Sequence, residues 1–357
     1  MFESYYRFIV SEMKKISIIL VSTLAALAFA SCNKDVRTAE PQETSLPVRL
    51  VVGVEGSAAT RATGITSNSD QSEAKVNSLQ VFVFNGDAVD GYASSNTKTA
   101  TVSCTSGLRD IYAVVNAPTL NISSKADLLA TVSSLENNTA NFQMIGSKTE
   151  TLKYDGTVSI NVDRLAARVV IKGIKNAIEN TTYANQFKVV SVYLTNVAGD
   201  CDFGGTSGYT IDRWYNRRGY EASNNLGAMT YDAVNSNVAA GATLSDAHYF
   251  YSMPNRNEGK VGGTWSPRAA RLVIRVELAG TLYDYPILLP ALESNKSYEI
   301  NLVTITRPGN KDNGNHDPND PDDTDEEDPI TGFEQNFEIV VNPWTVVLVG
   351  DNGEITI

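Results

Sequence analysis

Basic charge is scarce: 29 Lys and Arg stand against 41 Asp and Glu, a formal net charge of −12. A chain without a basic footprint is not built to hold nucleic acid. Histidine is scarcer still, two in 357 residues, with His248 in a strand-like run and His316 in an acidic one. No G-x-S-x-G, phosphate-loop or dinucleotide fingerprint occurs, so no catalytic residue and no cofactor is assigned. The three cysteines, Cys32, Cys104 and Cys201, show no C-x-x-C or Cys/His spacing and give neither a zinc cluster nor a disulfide framework. Cys104 and Cys201 are expected as free, buried thiols. The apolar run from Ile16 to Ala30 falls short of the about 20 residues that span a bilayer. What remains, 42% apolar and 20% charged, is the composition of a folded chain long enough for two cores.

Lys14 and Lys15 precede that apolar run, and Ser31 and Cys32 follow it. A basic region, a short apolar region and a small-residue cleavage site make a secretion signal, with Met13 expected as the true start. Beyond it, the stretch LPVRLVVGVEGSAATR from Leu46 to Arg61 carries an aliphatic residue at every second position. Leu46, Val48, Leu50, Val52 and Val54 would face one side of a strand. Gly56 to Thr60 are small, and Arg61 follows, the pattern of an exposed protease site. A core strand whose connection can be cut is a strand that can be replaced.

Period-2 patterns with strong β-propensity recur along the body: Asn77–Asn85 with two buried faces, Thr99–Cys104, Arg109–Asn116, Thr157–Val162, Arg164–Lys172, Phe187–Asn196, His248–Met253, Arg268–Leu278, Leu282–Leu289 and Lys296–Thr306. A Ser106-Gly107 turn separates the second and third of these. Leu128, Leu129, Val132 and Leu135 at helical spacing predict one helix over Ser124–Leu135. Asp200 to Leu244 lacks steady periodicity and is expected as long loops. Trp214, Tyr215 and Tyr220 within it are the candidates for a glycan-binding platform, read instead as loop packing. The pattern predicts a mainly β protein of two antiparallel sandwich domains, 62–163 and 164–306, with a short helix in the first.

From Arg307 to Thr331 the composition breaks into acids and prolines, an extended linker placed at 307–332. The acids Asp322 to Asp328 are a solvated run rather than two carboxylates across a pocket, and D-x-[DN]-x-[DN]-G is lacking, so no metal is assigned. A last arm, 333–357, alternates Phe337, Ile339 and Val341, meets Asn342-Pro343, and resumes with Trp344, Val346 and Leu348. A long apolar strand at a free end is a hazard unless a partner groove takes it.

The ending Phe29-Ala30-Ser31-Cys32 resembles a bacterial lipobox, in which Cys32 is lipidated. The ordered set of lipobox, Leu46–Val54 strand, Thr60-Arg61-Ala62, LQVFVFN, the Ser103-Cys104 to Asn116 segment read as a hairpin, RLAARV, NKSYEINLVTITRPG and VNPWTVVLVG resembles the FimA-type fimbrillins, shaft subunits of type V pili. The resemblance implies two transthyretin-like β-sandwich domains, a signal peptide over 1–31 and a lipidated propeptide over 32–61. It implies export by the lipoprotein machinery to the outer membrane and cleavage after Arg61 by a trypsin-like surface protease, with Ala62 as the new N-terminus. Polymerisation with copies of itself and accessory pilus subunits follows, Phe337, Ile339, Val341, Trp344, Val346 and Leu348 filling the place of Leu46 to Val54. An anchor or tip subunit and a surface glycan-binding lipoprotein are the alternatives; a tip has no further subunit to fill and should lack the terminal arm.

Overall fold

The computed structural model describes residues 45–56, 73, 75–217, 219–256 and 269–311, together with 346–348 and 354–356, the last two and 55–56 as main chain only. The secretion signal, Cys32, Arg61, Ala62, Phe337, Ile339, Val341, Trp344 and His316 lie outside the described residues. Where the aliphatic alternation is strongest the chain forms strands: β1 (Pro47–Gly56), β2 (Leu79–Asn85), β3 (Ala88–Ser95), β4 (Thr99–Thr105) and β5 (Gly107–Val115). After α1 (Lys125–Ala130) come β6 (Val132–Ser134), β7 (Met144–Leu152) and β8 (Gly156–Arg164).

Seven of these strands form one sheet in the order β3-β2-β5-β7-β8-β1-β4. Its two end strands meet. A Cβ at Gly91 of β3 would lie 2.5 Å from the Ser103 carbonyl oxygen of β4, so only glycine lets the backbones approach this closely. Asp90 accepts from the Thr105 backbone N–H (2.8 Å) and from Arg109 Nε (2.9 Å). The sheet thus curls around an interior of Val48, Leu50, Val52, Val54, Val81, Val102, Ile111 and Ile160, among others.

The second half begins with β9 (Ala167–Ile171), β10 (Ile174–Asn176), α2 (Thr181–Ala184) and β11 (Phe187–Thr195). Short strands β12 (Val197–Ala198), β13 (Asp200–Asp202) and β14 (Trp214–Tyr215) precede β15 (Tyr231–Asn237), β16 (Thr243–Leu244) and β17 (His248–Ser252). β18 (Arg271–Leu278), β19 (Thr281–Leu288), β20 (Ser297–Ile300), β21 (Leu302–Ile305), β22 (Asn310–Lys311), β23 (Val346–Leu348) and β24 (Glu354–Thr356) complete the order. They form a five-stranded sheet, β15-β11-β18-β19-β22, and two four-stranded ones, β17-β9-β20-β23 and β16-β10-β21-β24. A second core fills the space between them and runs on over the back of the first sheet, taking in Phe82 and Phe84. β2 therefore serves two cores: Leu79, Val81 and Val83 enter the first, Phe82 and Phe84 the second. Leu46–Ile357 is accordingly one compact unit.

The protein is mainly β, as its patterning predicts, and the structure adds several corrections. Pairing is antiparallel except for β1 with β8, β9 with β20, β10 with β21, β20 with β23 and β21 with β24, which run parallel; long intervening segments permit this. β4 and β5 are not a hairpin: β4 pairs with β1, whereas β5 lies between β2 and β7. The chain changes partner at Gly107, whose φ of 116° excludes an ordinary side chain. The helix is shorter than Ser124–Leu135. Ser124 caps α1, accepting from the Asp127 N–H, but Thr131 is extended, and β-branched Thr131 and Val132 pass into β6, which pairs with β13. The 200–244 segment contains a true strand, β15, paired with β11. Arg307 to Lys311, read as part of the linker, are held to the body: Tyr285 donates its hydroxyl to the Arg307 carbonyl (2.9 Å) and Asn310–Lys311 pair with β19.

Candidate functional site

β1 is the strand that the sequence marks as removable, and it occupies an interior place in its sheet. Pro47–Gly53 pair antiparallel with Thr99–Thr105 of β4, and Leu50–Gly56 pair parallel with Gly156–Val162 of β8. Val48, Leu50, Val52 and Val54 point inward and are at most 5% exposed. Leu46, read as a fifth inward residue, is 55% exposed, because it precedes the ladder with β8, which begins at Leu50. Each inward side chain contributes about 1.5–3 kcal/mol of burial, against the about 5–15 kcal/mol that holds a whole domain. Taking β1 away would uncover two strand edges and a long apolar slot.

Polar groups hold both ends of the strand. At its start, Leu46 N–H donates to Ser106 Oγ (2.8 Å) and Ser106 N–H to the Leu46 carbonyl (2.8 Å). The Arg49 N–H, one residue ahead of the β8 ladder, donates to Asp155 Oδ1 (2.7 Å). At the far end Val54 N–H donates to the Lys98 carbonyl (3.0 Å). The slot is lined by Ala100, Val102 and Cys104 from β4 and Val158, Ile160 and Val162 from β8. Cys104 lies opposite Val48, is 6% exposed, and its thiol is pushed up by burial and by the charge of Asp90.

Beyond Gly56 the next described residue is Glu73, and Arg61 and Ala62 fall between the two. Glu73 is buried among charges. Arg168 Nη1 lies 3.0 Å from Glu73 Oε2, Tyr251 donates its hydroxyl to Oε1 (2.6 Å), and Arg164 Nε donates to the Glu73 carbonyl (2.7 Å). Arg168 also reaches Glu299 (3.5 Å), which Lys172 approaches to 2.7 Å. Burial lowers the Arg164 guanidinium to about 10. This network went unread in sequence because its members are scattered over the chain and no spacing marks them.

Of the terminal arm, Val346–Leu348 pair in parallel with Ser297–Glu299 of β20, and Glu354–Thr356 with Leu302–Thr304 of β21. Both pieces lie at the outer edges of their own subunit's sheets, three residues each. The structure does not bring them to β1.

The other candidate chemistry is structural in character. His248 Nδ1 pairs with Asp232 Oδ2 at 2.7 Å, joining β17 and β15, the end strands of two different sheets. Trp214 and Tyr215 are 7% and 4% exposed, and the Tyr220 ring lies tilted against Tyr231 with centroids 4.2 Å apart; these aromatics pack against protein. Among the described residues no group of acids, histidines and cysteines is arranged to hold a metal, and no helix is long and apolar enough to cross a membrane.

Residues 45–195 match the family model for the major fimbrial subunit protein (FimA). Among solved structures, a candidate cell adhesion protein from Bacteroides eggerthii superposes with a TM-score of 0.57 at 18% identity, covering 87% of this chain and 98% of that one. A fimbrilin (fimA) from Porphyromonas gingivalis does so with a TM-score of 0.52 at 16% identity, over 73% of this chain and 91% of its own. A candidate cell adhesion protein from Parabacteroides distasonis, also 16% identical, gives a TM-score of 0.52 over 70% and 85%. Among curated proteins none matches. The resemblance to the FimA-type fimbrillins carried by the sequence is thus met by a family match over residues 45–195 and by a shared fold over most of the chain.

Proposed function

We propose that this chain is a structural subunit of a surface fimbrium that polymerises by exchanging β1 for the terminal arm of another copy. The observation that carries the reading is the position of β1, buried on one face, paired on both edges and joined to the body through the small-residue stretch ending at Arg61. A strand in that position cannot be lost without replacement, and its connection is one that a trypsin-like surface protease would cut. The chain is exported as a lipoprotein through Cys32 and held at the outer membrane until cleavage frees the mature start at Ala62. The described parts of the arm, meanwhile, pair in parallel with two sheet edges of their own subunit, three residues each.

The contact so formed is head-to-tail and leaves a free slot at one end and a free arm at the other, which produces a filament. Accessory subunits would start or end it. Intact-mass analysis of purified surface filaments tests this reading: the subunit should begin at Ala62, contain 357 − 61 = 296 residues and carry no lipid. A polymer whose subunits retain Cys32 and its acyl chains would overturn it. Arg61→Ala should give a lipidated, folded monomer and no filaments, since its own β1 stays in place.

A further inference from the structure

Proline is ordinarily excluded from the middle of a sheet, yet Pro47 stands at the head of an interior strand, and the hydrogen bonds around it explain why. Ser106 N–H to the Leu46 carbonyl and Val54 N–H to the Lys98 carbonyl fix the phase of the pairing with β4. In a period of two, positions 46, 48, 50, 52 and 54 direct their main-chain groups toward β4, and 47, 49, 51 and 53 toward β8. The ladder with β8 begins at Leu50 opposite Gly156, and Asp155 extends it by one by accepting the Arg49 N–H. Position 47 lies before all of this. Of the positions from 46 to 54 it is the one whose N–H has no acceptor to serve, so a proline costs nothing there and breaks a bond at every other.

The terminal arm repeats the same pattern. PVRLVVGV, residues 47–54, and PWTVVLVG, residues 343–350, both run proline, apolar, polar, then apolar. We propose that in the assembled form Pro343 of a second copy takes the place of Pro47, so that Trp344, Val346 and Leu348 replace Val48, Leu50 and Val52, and Asp155 accepts the N–H of Thr345. This assignment rests on the strand-exchange reading and makes Asp155 and the free position at 47 the features that set the register.

The other registers each lose something definite. A slip of one residue turns Trp344, Val346 and Leu348 outward and puts proline where β4 needs a donor. A slip that seats Pro343 at position 49 leaves Asp155 without its N–H. The opposite slip, seating Pro343 at 45, tolerates the proline but moves Trp344 from a position 3% exposed to the 55% exposed position of Leu46, and the largest apolar side chain of the arm stays in water.

Single arm cysteines read the register against the native Cys104, in a Cys201→Ser background and in purified filaments. Antiparallel partners have Cα atoms about 4.5–5.5 Å apart, within the about 4.4–6.8 Å that a disulfide bridges. Trp344→Cys should therefore link to Cys104 between chains, giving covalent ladders under oxidation, whereas Val346→Cys should not, since diagonal neighbours are about 7–8 Å apart. Where Trp344→Cys fails to assemble, Val346→Cys combined with Val102→Cys and Cys104→Ser keeps the tryptophan and should give the same ladders. Linkage of Val346→Cys to Cys104 would overturn the register while leaving strand exchange standing. Arm cysteines that link within one chain alone, in intact filaments, would overturn both.

Discussion

Val48 and Cys104 are partners across the antiparallel pair of β1 and β4, and both side chains are buried in the interior of the first sheet, 3% and 6% exposed. The thiol is thus covered by the strand proposed to leave. Burial holds it above its ordinary value, and a thiol in that state is a poor nucleophile. Maleimide labelling followed by peptide mapping should find Cys104 slow in the uncleaved subunit, fast after cleavage and loss of β1, and slow again in the polymer. Cys201, which is outside the slot and pushed to about 12 by burial, should stay slow throughout and serves as the internal control. Equal Cys104 labelling before and after cleavage would show that β1 remains seated.

The meeting of β3 and β4 depends on Asp90 and Arg109. Burial alone would push the Asp90 carboxyl up, but the Thr105 backbone N–H, the Arg109 guanidinium and the Thr105 hydroxyl together hold it below the usual carboxylate range. A folded-state value below the unfolded one means that the contribution is fully present above about pH 4 and is lost as pH falls through the depressed value. Asp90→Ala should cost about 3–5 kcal/mol at neutral pH by leaving the buried Arg109 without its counter-charge. Urea unfolding of wild type and variant from neutral pH to pH 3 checks this. The difference should narrow with acidification, and a constant difference would contradict the assignment.

Glu73 ties the chain just beyond the cleavage segment to Arg164, Arg168 and Tyr251. Glu73→Ala should destabilise both the uncleaved and the cleaved subunit by about 3–5 kcal/mol, the cost of breaking a buried pair. Denaturation of each form measures it. A loss below about 0.5 kcal/mol, typical of a surface change, would show that the network does not hold this end.

What could be read from the chain alone followed from side-chain burial. β1, β2, β4, β5 and β8 carry apolar residues at every second position because one or both faces are covered, and such strands announce themselves. β3 (AVDGYASS), β7 (MIGSKTETL) and β15 (YDAVNSN) do not, since much of each is exposed and main-chain pairing to a neighbour sustains them. Pairing partners were equally hidden: the Ser106-Gly107 turn suggested a hairpin, but the choice of β1 over β5 as the partner of β4 is made by distant groups. Of the site, the inward face of β1 was legible down to single residues, apart from Leu46. Its clamps at Ser106 and Asp155 were not, because a serine and an aspartate in a turn look alike whether or not a distant N–H reaches them.

The central claim is that the slot of one copy is filled by the arm of another. It is tested most directly by deleting Trp344–Ile357 and following assembly by electron microscopy and size-exclusion chromatography after Arg61 cleavage. The truncated subunit should be secreted, folded and cleaved, yet form no filaments; mixed with full-length subunits, it should accept one arm and stop there, shortening filaments in proportion to its share. Filaments of normal length built from the truncated subunit alone would contradict the account.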